Sequence, residues 1–299
     1  SSERAVVQDP ILRYAEEIGW TILSPAQAIT ERGGESGMLL DGVVRRKLIE
    51  LNPGLISISN VDDVIRRIES VRTSIEGNAE VLAWLRGERT IYSEAEKRQR
   101  NVSVVDFDHA SQNVFHVTKE WAYTNGQKAN RADVVFLLNG IPVAIVEAKA
   151  ATKAEALDEG FTQLRRYHAE TPELVLSTQV FNVSALLDFA YGATWNLDRK
   201  SVFLWKDEDK ENYERKVKRF FSRERFLRML RDWIIVYKRD DELRKIILRQ
   251  HQTRAVEKVL ERALDPAKRR GLVWHTQGSG KTFTMITTAE LLLSHPAFK

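Results

Sequence analysis

Two apolar stretches, Val134-Val135-Phe136-Leu137-Leu138 and Ile141-Pro142-Val143-Ala144-Ile145-Val146, are separated only by Asn139-Gly140. That pattern predicts two buried strands joined by a tight hairpin. Upstream, Asp9, Pro10 and Gly19 sit where an N-cap, a first helical residue and a stop belong, which predicts a helix over 9–19. Further helices are expected over 42–50, ending near Asn52-Pro53-Gly54, and from Val61 into the 70s. Alternation at Val102–Val105 and Val114–Val117 predicts strands within 90–125. After the hairpin come an expected helix over 155–168, a strand over 173–181 and a strand pair over 195–205. Phe226, Leu230, Trp233, Ile234 and Tyr237 then recur at helical spacing. A short apolar run, Gly271–His275, reads as a strand, and 283–293 as an amphipathic helix.

Charged, turn-rich residues between Lys206 and Tyr213 mark a domain edge. The expected organisation is a mixed α/β domain over 1–206, a helical linker over 207–245, and a second unit over 246–299. At 299 residues, 43% apolar and 29% charged, the composition is that of an ordinary globular protein with room for two domains. No apolar run approaches the roughly 20 residues that span a bilayer, so no membrane partner is expected. The start, Ser1-Ser2-Glu3-Arg4, lacks a secretory core and an initial Met, which reads as a processed or engineered start. Absence of cysteine removes disulfide and thiolate chemistry and fits a cytoplasmic protein. The net charge of +4 is too even to announce nucleic acid. Basic residues do crowd the stretch from Lys216 to Arg231, where Glu224 is the single acid. Two readings stand there: the solvated face of an amphipathic helix, which is preferred, and a strip that tracks phosphates.

Chemistry enters at the ends of the hairpin. Side chains two apart on a strand share a face, so Glu147 and Lys149 point the same way. A strict two-residue turn sets Asp133 opposite Val146, whereas a bulge or local twist sets it opposite Glu147. Either way two carboxylates meet at one end of the hairpin. Such a pair raises the proton affinity of each member unless a cation lies between them. Oxygen ligands, with waters and a phosphate oxygen completing the shell, suit Mg²⁺ held by Asp133 and Glu147. Lys149 would stabilise charge developing on phosphorus. The plain alternative is a hairpin whose aspartate caps a turn and whose Glu and Lys pair at an exposed end.

Asn130-Arg131-Ala132-Asp133, the Asn139-Gly140-Ile141-Pro142 turn and Ile145-Val146-Glu147-Ala148-Lys149 together resemble the PD-(D/E)XK nuclease core. More narrowly, they resemble the form in the restriction (R) subunit of type I restriction–modification enzymes. Ala132 stands where the motif has proline, a position that supplies no ligand. In the expected following helix, Gln163 and Tyr167 match the Q-x-x-x-Y motif of such nucleases, which the resemblance assigns to positioning DNA near the metal. Many nucleases of this fold add a glutamate from the first helix. Glu16 and Glu17 both qualify, and the sequence does not choose between them.

Trp274-His275-Thr276-Gln277-Gly278-Ser279-Gly280-Lys281-Thr282, between an apolar run and a helix, has the context of a P-loop. Backbone amides of Gly278, Ser279, Gly280 and Lys281 would wrap phosphates, Lys281 would reach the β- and γ-oxygens, and Thr282 would hold Mg²⁺. His275 replaces the motif's first glycine. Gln252 sits where superfamily 2 helicases carry an adenine-reading glutamine, with Gln250 the competing choice. The resemblance therefore implies an α/β protein: a PD-(D/E)XK fold, a mixed central sheet flanked by helices, followed by the beginning of a RecA-like domain. It further implies ATP with Mg²⁺ in a longer polypeptide, negligible ATP hydrolysis by this chain alone, double-stranded DNA as substrate, and methyltransferase (M) and specificity (S) subunits as partners. The rivals are a helicase-linked nuclease of DNA repair and a non-catalytic DNA-binding or subunit-docking module.

Overall fold

A computed structural model gives the structure and describes residues 2–149, 153–185, 188–206, 212–268 and 270–298. The first part runs α1 (Ser2–Glu17), β1 (Thr21–Leu23), α2 (Pro25–Glu31), α3 (Asp41–Leu51), α4 (Val61–Glu69), α5 (Ile75–Leu85), β2 (Thr90–Ser93) and β3 (Arg98–Asn101). Then come β4 (Phe115–Thr124), β5 (Ala129–Leu138), β6 (Ile141–Lys149), α6 (Lys153–Glu170), β7 (Val180–Ala185), β8 (Asp188–Ala193) and β9 (Phe203–Leu204). The last part holds α7 (Tyr213–Phe220), α8 (Arg223–Arg228), β10 (Ile234–Arg239), β11 (Glu242–Ile247), α9 (Gln250–Leu264) and α10 (Lys281–Ser294).

Seven strands form one mixed sheet in the order β1-β4-β5-β6-β7-β8-β9. The β1/β4 and β6/β7 pairs are parallel and the rest antiparallel. β5 and β6 lie at its centre, buried on both faces, which accounts for their continuous apolar runs. One face packs Trp20, Phe136, Phe221 and Phe226 together with α1, α7 and α8; Phe136 and Phe221 stack with centroids 3.7 Å apart. The other face packs Phe161, Leu164 and Tyr167 of α6 against Ile145 and Phe181. Among the described residues no helix is long and apolar enough to cross a membrane.

Several expectations are corrected. The first helix does not start at Asp9, because α1 runs through Pro10. Val7, Ile11 and Ala15 form one buried stripe across the proline, and burying it outweighs one lost helical hydrogen bond. Asp9 instead pairs with Lys119, 2.6 Å away. Residues 102–105 are not a strand. Asn52 binds both Ser103 N and Ser103 O, and Asn139 Nδ2 binds Val104 O, so side-chain amides replace a ladder. Residues 172–175 form a 3₁₀ turn ahead of β7, and the expected pair over 195–205 reduces to the two-residue β9, pairing with β8. Helices α2 and α5 had not been anticipated.

The linker expected to be helical is so only to Trp233, where a π-turn ends α8. Ile234 to Ile247 fold as the β10/β11 hairpin about Asp240-Asp241, both with positive φ. Most of the domain edge expected between Lys206 and Tyr213, namely 207–211, lies outside the described residues. Gly271–His275 carries no strand assignment, since none of the described strands lies alongside to complete a ladder.

Candidate active site

Asn139 and Gly140 both adopt left-handed φ, +51° and +83°, the signature of a type I′ turn. Gly140 is required twice over: its φ is strained for other residues, and a Cβ would lie 2.9 Å from Leu40 O. Two residues past Gly140, Pro142 has no N–H to give the ladder. The register then shifts, from Leu137 opposite Pro142 to Phe136 opposite Ala144 and Val134 opposite Val146. One residue of β6 is thereby looped out, so Asp133 comes level with Glu147 rather than with Val146. The bulged alternative is the one the chain adopts.

Asp133 is fixed from two sides. Its Oδ1 accepts from Gln8 Nε2 at 3.1 Å and its Oδ2 from the backbone N–H of Ala148 at 3.0 Å. Glu147 is 1% exposed. Its Oε1 accepts from the Tyr167 hydroxyl at 2.7 Å, and Lys149 Nζ lies 3.3 Å from Oε2 and 3.8 Å from Asp133 Oδ2. Gln163 Nε2 donates to the Tyr167 oxygen at 3.0 Å, and Arg131 O is a second acceptor 2.8 Å from that hydroxyl. The structure thus brings Asp133, Glu147, Lys149, Gln163 and Tyr167 into one connected cluster where the end of β6 lies beside the middle of β5.

The electrostatics follow from burial. Desolvation, and then the neighbouring Asp133, push Glu147 up to about 8, against the opposing pull of Lys149 and Tyr167. Burial, followed by the Glu147 charge, pushes the Tyr167 phenol far above its ordinary value, so it stays a donor. Among the described residues no group of three or more His, Cys, Asp or Glu is placed to hold a metal. The donor set is two carboxylates, all oxygen, beside a carboxyl that is costly to ionise alone. That chemistry fits a hard divalent cation which retains several waters.

Neither Glu16 nor Glu17 belongs to this cluster. Both are exposed, and Glu17 pairs with Lys218 and, at 3.9 Å, with Arg13. The residue that α1 contributes is Gln8, which the sequence reading missed because Pro10 concealed the first two turns of the helix.

At the second candidate site, Gly278 and Gly280 take φ of +75° and +77° ahead of α10. Lys281 Nζ donates to the carbonyls of His275 (3.1 Å) and Thr276 (3.0 Å). Ser279 is buried, and Thr282 lies in the first turn of α10. Gln252 is buried with both ends engaged: Oε1 accepts from Arg249 N at 2.7 Å, and Nε2 donates to Gly280 O at 2.9 Å and Ser279 O at 3.2 Å. Gln250 Oε1 accepts from Lys206 N at 2.9 Å.

Residues 1–200 match the family described as type I restriction enzyme R protein N terminus, and residues 251–299 match the SWI2/SNF2 ATPase family. The "Putative type I restriction enzyme MjaVIIP endonuclease subunit" of Methanocaldococcus jannaschii is 31% identical over 69% of this chain and 21% of its own length. The type I restriction enzyme SsaAORF53P endonuclease subunit of Staphylococcus saprophyticus is 30% identical over 64% of the chain and 20% of its length. The HindI endonuclease subunit of Haemophilus influenzae is 26% identical over 98% of the chain and 30% of its length. The chain therefore spans between about a fifth and a third of the curated relatives it matches.

Proposed function

Because this chain belongs to the family of type I restriction enzyme R protein N termini, we propose that it is the nuclease part, with the start of the ATP-driven motor, of such an endonuclease subunit. The observation that carries this reading is the bulged hairpin, which sets Asp133 level with Glu147 and within reach of Lys149. The fold proposed for 1–206 is PD-(D/E)XK, with 207–245 linking it to a RecA-like unit that begins at 246.

Asp133 and Glu147 would hold Mg²⁺, which when bound supplies neutralisation of the scissile phosphate and a lowered pKa for the attacking water. The chain's own residues prepare the site. Gln8 and the Ala148 N–H fix Asp133; Tyr167, steadied by Gln163, fixes Glu147; and Lys149 stabilises the charge that develops on phosphorus. Tyr167 and Gln163 act here through Glu147, which adds a positioning role to the one expected toward DNA. In the longer polypeptide, Gly278, Ser279, Gly280, Lys281 and Thr282 would take ATP with Mg²⁺, with Gln252 bracing the loop. Double-stranded DNA is the proposed substrate, and the M and S subunits the proposed partners.

The test is nicking of supercoiled plasmid with Mg²⁺ or Mn²⁺, alongside calorimetric titration of the metal. Wild type should bind metal and nick, and Glu147→Ala should do neither while remaining folded. Lys149→Ala should bind metal yet cut about 10²–10³-fold more slowly. Undiminished cutting by a folded Lys149→Ala would overturn the assignment.

A further inference from the structure

A cavity of about 260 Å³ opens between the last turn of α4, α5, the end of β4 and the 3₁₀ turn over Pro172–Val175. It shares no lining residue with the Asp133–Glu147–Lys149 cluster or with the loop ahead of α10. Met38, Leu39, Ile68, Val81 and Leu176 give it apolar walls. Two carboxylates also line it, Glu69 and Glu173, and no Lys, Arg or His does. On an open surface water stabilises such groups; against apolar walls an unpaired carboxylate is costly.

Glu173 carries that cost openly. Its Oε2 is buried and has no hydrogen-bond partner. Tyr123 is 5% exposed, and burial, followed by the charge of Glu173, raises the proton affinity of its phenol. Its hydroxyl enters no hydrogen bond among the described residues. Buried polar atoms are almost always paired, so two that are not, lining one cavity, point to a partner from outside the chain. Arg32 does not fill the role, although its charge reaches Tyr123. Its guanidinium donates to the carbonyls of Glu35, Gly37 and Ala122 and lies 4.1 Å from the Trp121 ring. Glu69 is exposed at the rim and forms no ion pair among the described residues.

The chemistry of the lining selects the occupant. An ammonium donates three hydrogen bonds and supplies the missing positive charge, so one would satisfy Glu173 Oε2 and the Tyr123 oxygen together. A short alkyl chain would cover the walls, and a second ammonium at its far end would meet Glu69. A divalent metal fits less well, because it keeps waters that apolar walls cannot hydrogen-bond. The space equals roughly nine times a water's share of the liquid, which suits a chain of about four carbons and excludes a drug-sized ligand. We propose that this cavity binds an aliphatic diamine, one ammonium held by Glu173 and Tyr123 and the other by Glu69 at the rim. The proposal does not depend on the nuclease reading.

The test is calorimetric titration of the 299-residue chain with diaminobutane, butylamine and butanediol at fixed ionic strength. Wild type should bind diaminobutane at a single site, butylamine about threefold to tenfold more weakly, and butanediol not at all. Glu173→Gln should weaken diaminobutane about 10–100-fold, the worth of a charge-assisted hydrogen bond at a buried oxygen. Glu69→Gln should bring diaminobutane down to the affinity of butylamine while leaving butylamine unchanged. A folding defect cannot produce that pattern, and Glu69 is exposed, so its loss leaves the core intact. Glu94→Gln removes the same charge from the exposed turn between β2 and β3 and should change neither amine. Failure of wild type to bind diaminobutane saturably, or equal affinity for the diamine and the monoamine, would overturn the proposal. So would undiminished binding by Glu173→Gln, or equal losses in Glu69→Gln and Glu94→Gln.

Discussion

In the proposed site Glu147 is the side chain on which the chemistry would turn, because its protonation and its proposed use as a ligand compete. Its folded-state value, about 8, lies above the ordinary 4.5, so between those limits the folded protein binds the proton more tightly than the unfolded chain. The contribution is complete below about pH 4.5 and lost as pH rises through 8. Lys245 works in the opposite sense, since burial holds its pKa well below the ordinary value. A single stability–pH curve would mix the two. The increment in Tm produced by Mn²⁺ or Mg²⁺ isolates Glu147, and it should be small near pH 6 and grow toward about pH 8.5, where no proton must leave. An increment independent of pH would count against Glu147 as a ligand. Supporting residues give a graded prediction: Tyr167→Phe and Gln8→Leu should each weaken metal binding about 10–100-fold by calorimetry. In the sequence, Asp133, Glu147 and Lys149 were legible from the hairpin and strand spacing, and Gln163 and Tyr167 through the resemblance of the following helix to the Q-x-x-x-Y motif. Gln8 was hidden because its partner lies 125 residues away and Pro10 obscured the helix that carries it.

At the level of elements, the β5/β6 hairpin converts a turn and a proline into a register. Gly140→Ala strains a left-handed backbone and presses on Leu40 O, so it should cost about 2–3 kcal/mol, read as a lower urea midpoint at unchanged m. The same variant should cut poorly in proportion to unfolding, since it does not move Asp133 relative to Glu147. Periodicity reached the long strands and α3, α4 and α6 because each buries one face or both. It failed where side chains satisfy the backbone, as Asn52 does at Ser103, and where β-branched residues happened to share helical spacing, as at Ile234 to Tyr237. The Asp240-Asp241 turn lacks the glycine that would have announced β10 and β11. Short α2, with its Ser24–Gln27 capping box, carried a signal that went unread.

Across the whole molecule, β10 and β11 join the large sheet around one buried lysine. Lys245 Nζ reaches Asn78 Oδ1 at 2.6 Å, Gln179 Oε1 at 2.8 Å, and Gln179 O and Thr194 Oγ1 at 3.1 Å, linking α5, the residues flanking β7 and β8, and β11. Lys245→Met should destabilise the fold by about 2–4 kcal/mol in denaturant titration, because neutral acceptors would remain buried without a donor. The hairpin directly precedes α9, whose Gln252 braces the glycine-containing loop ahead of α10. Peeling the hairpin away would strip several acceptors at once in a dry interior, so no sequence of small, separately cheap openings leads off the sheet. Its amides should therefore exchange with solvent at the slow pace of the central strands rather than at the pace of an appended ribbon. A load applied to the residues that follow the hairpin would then meet a joint that behaves as a weld and not as a hinge.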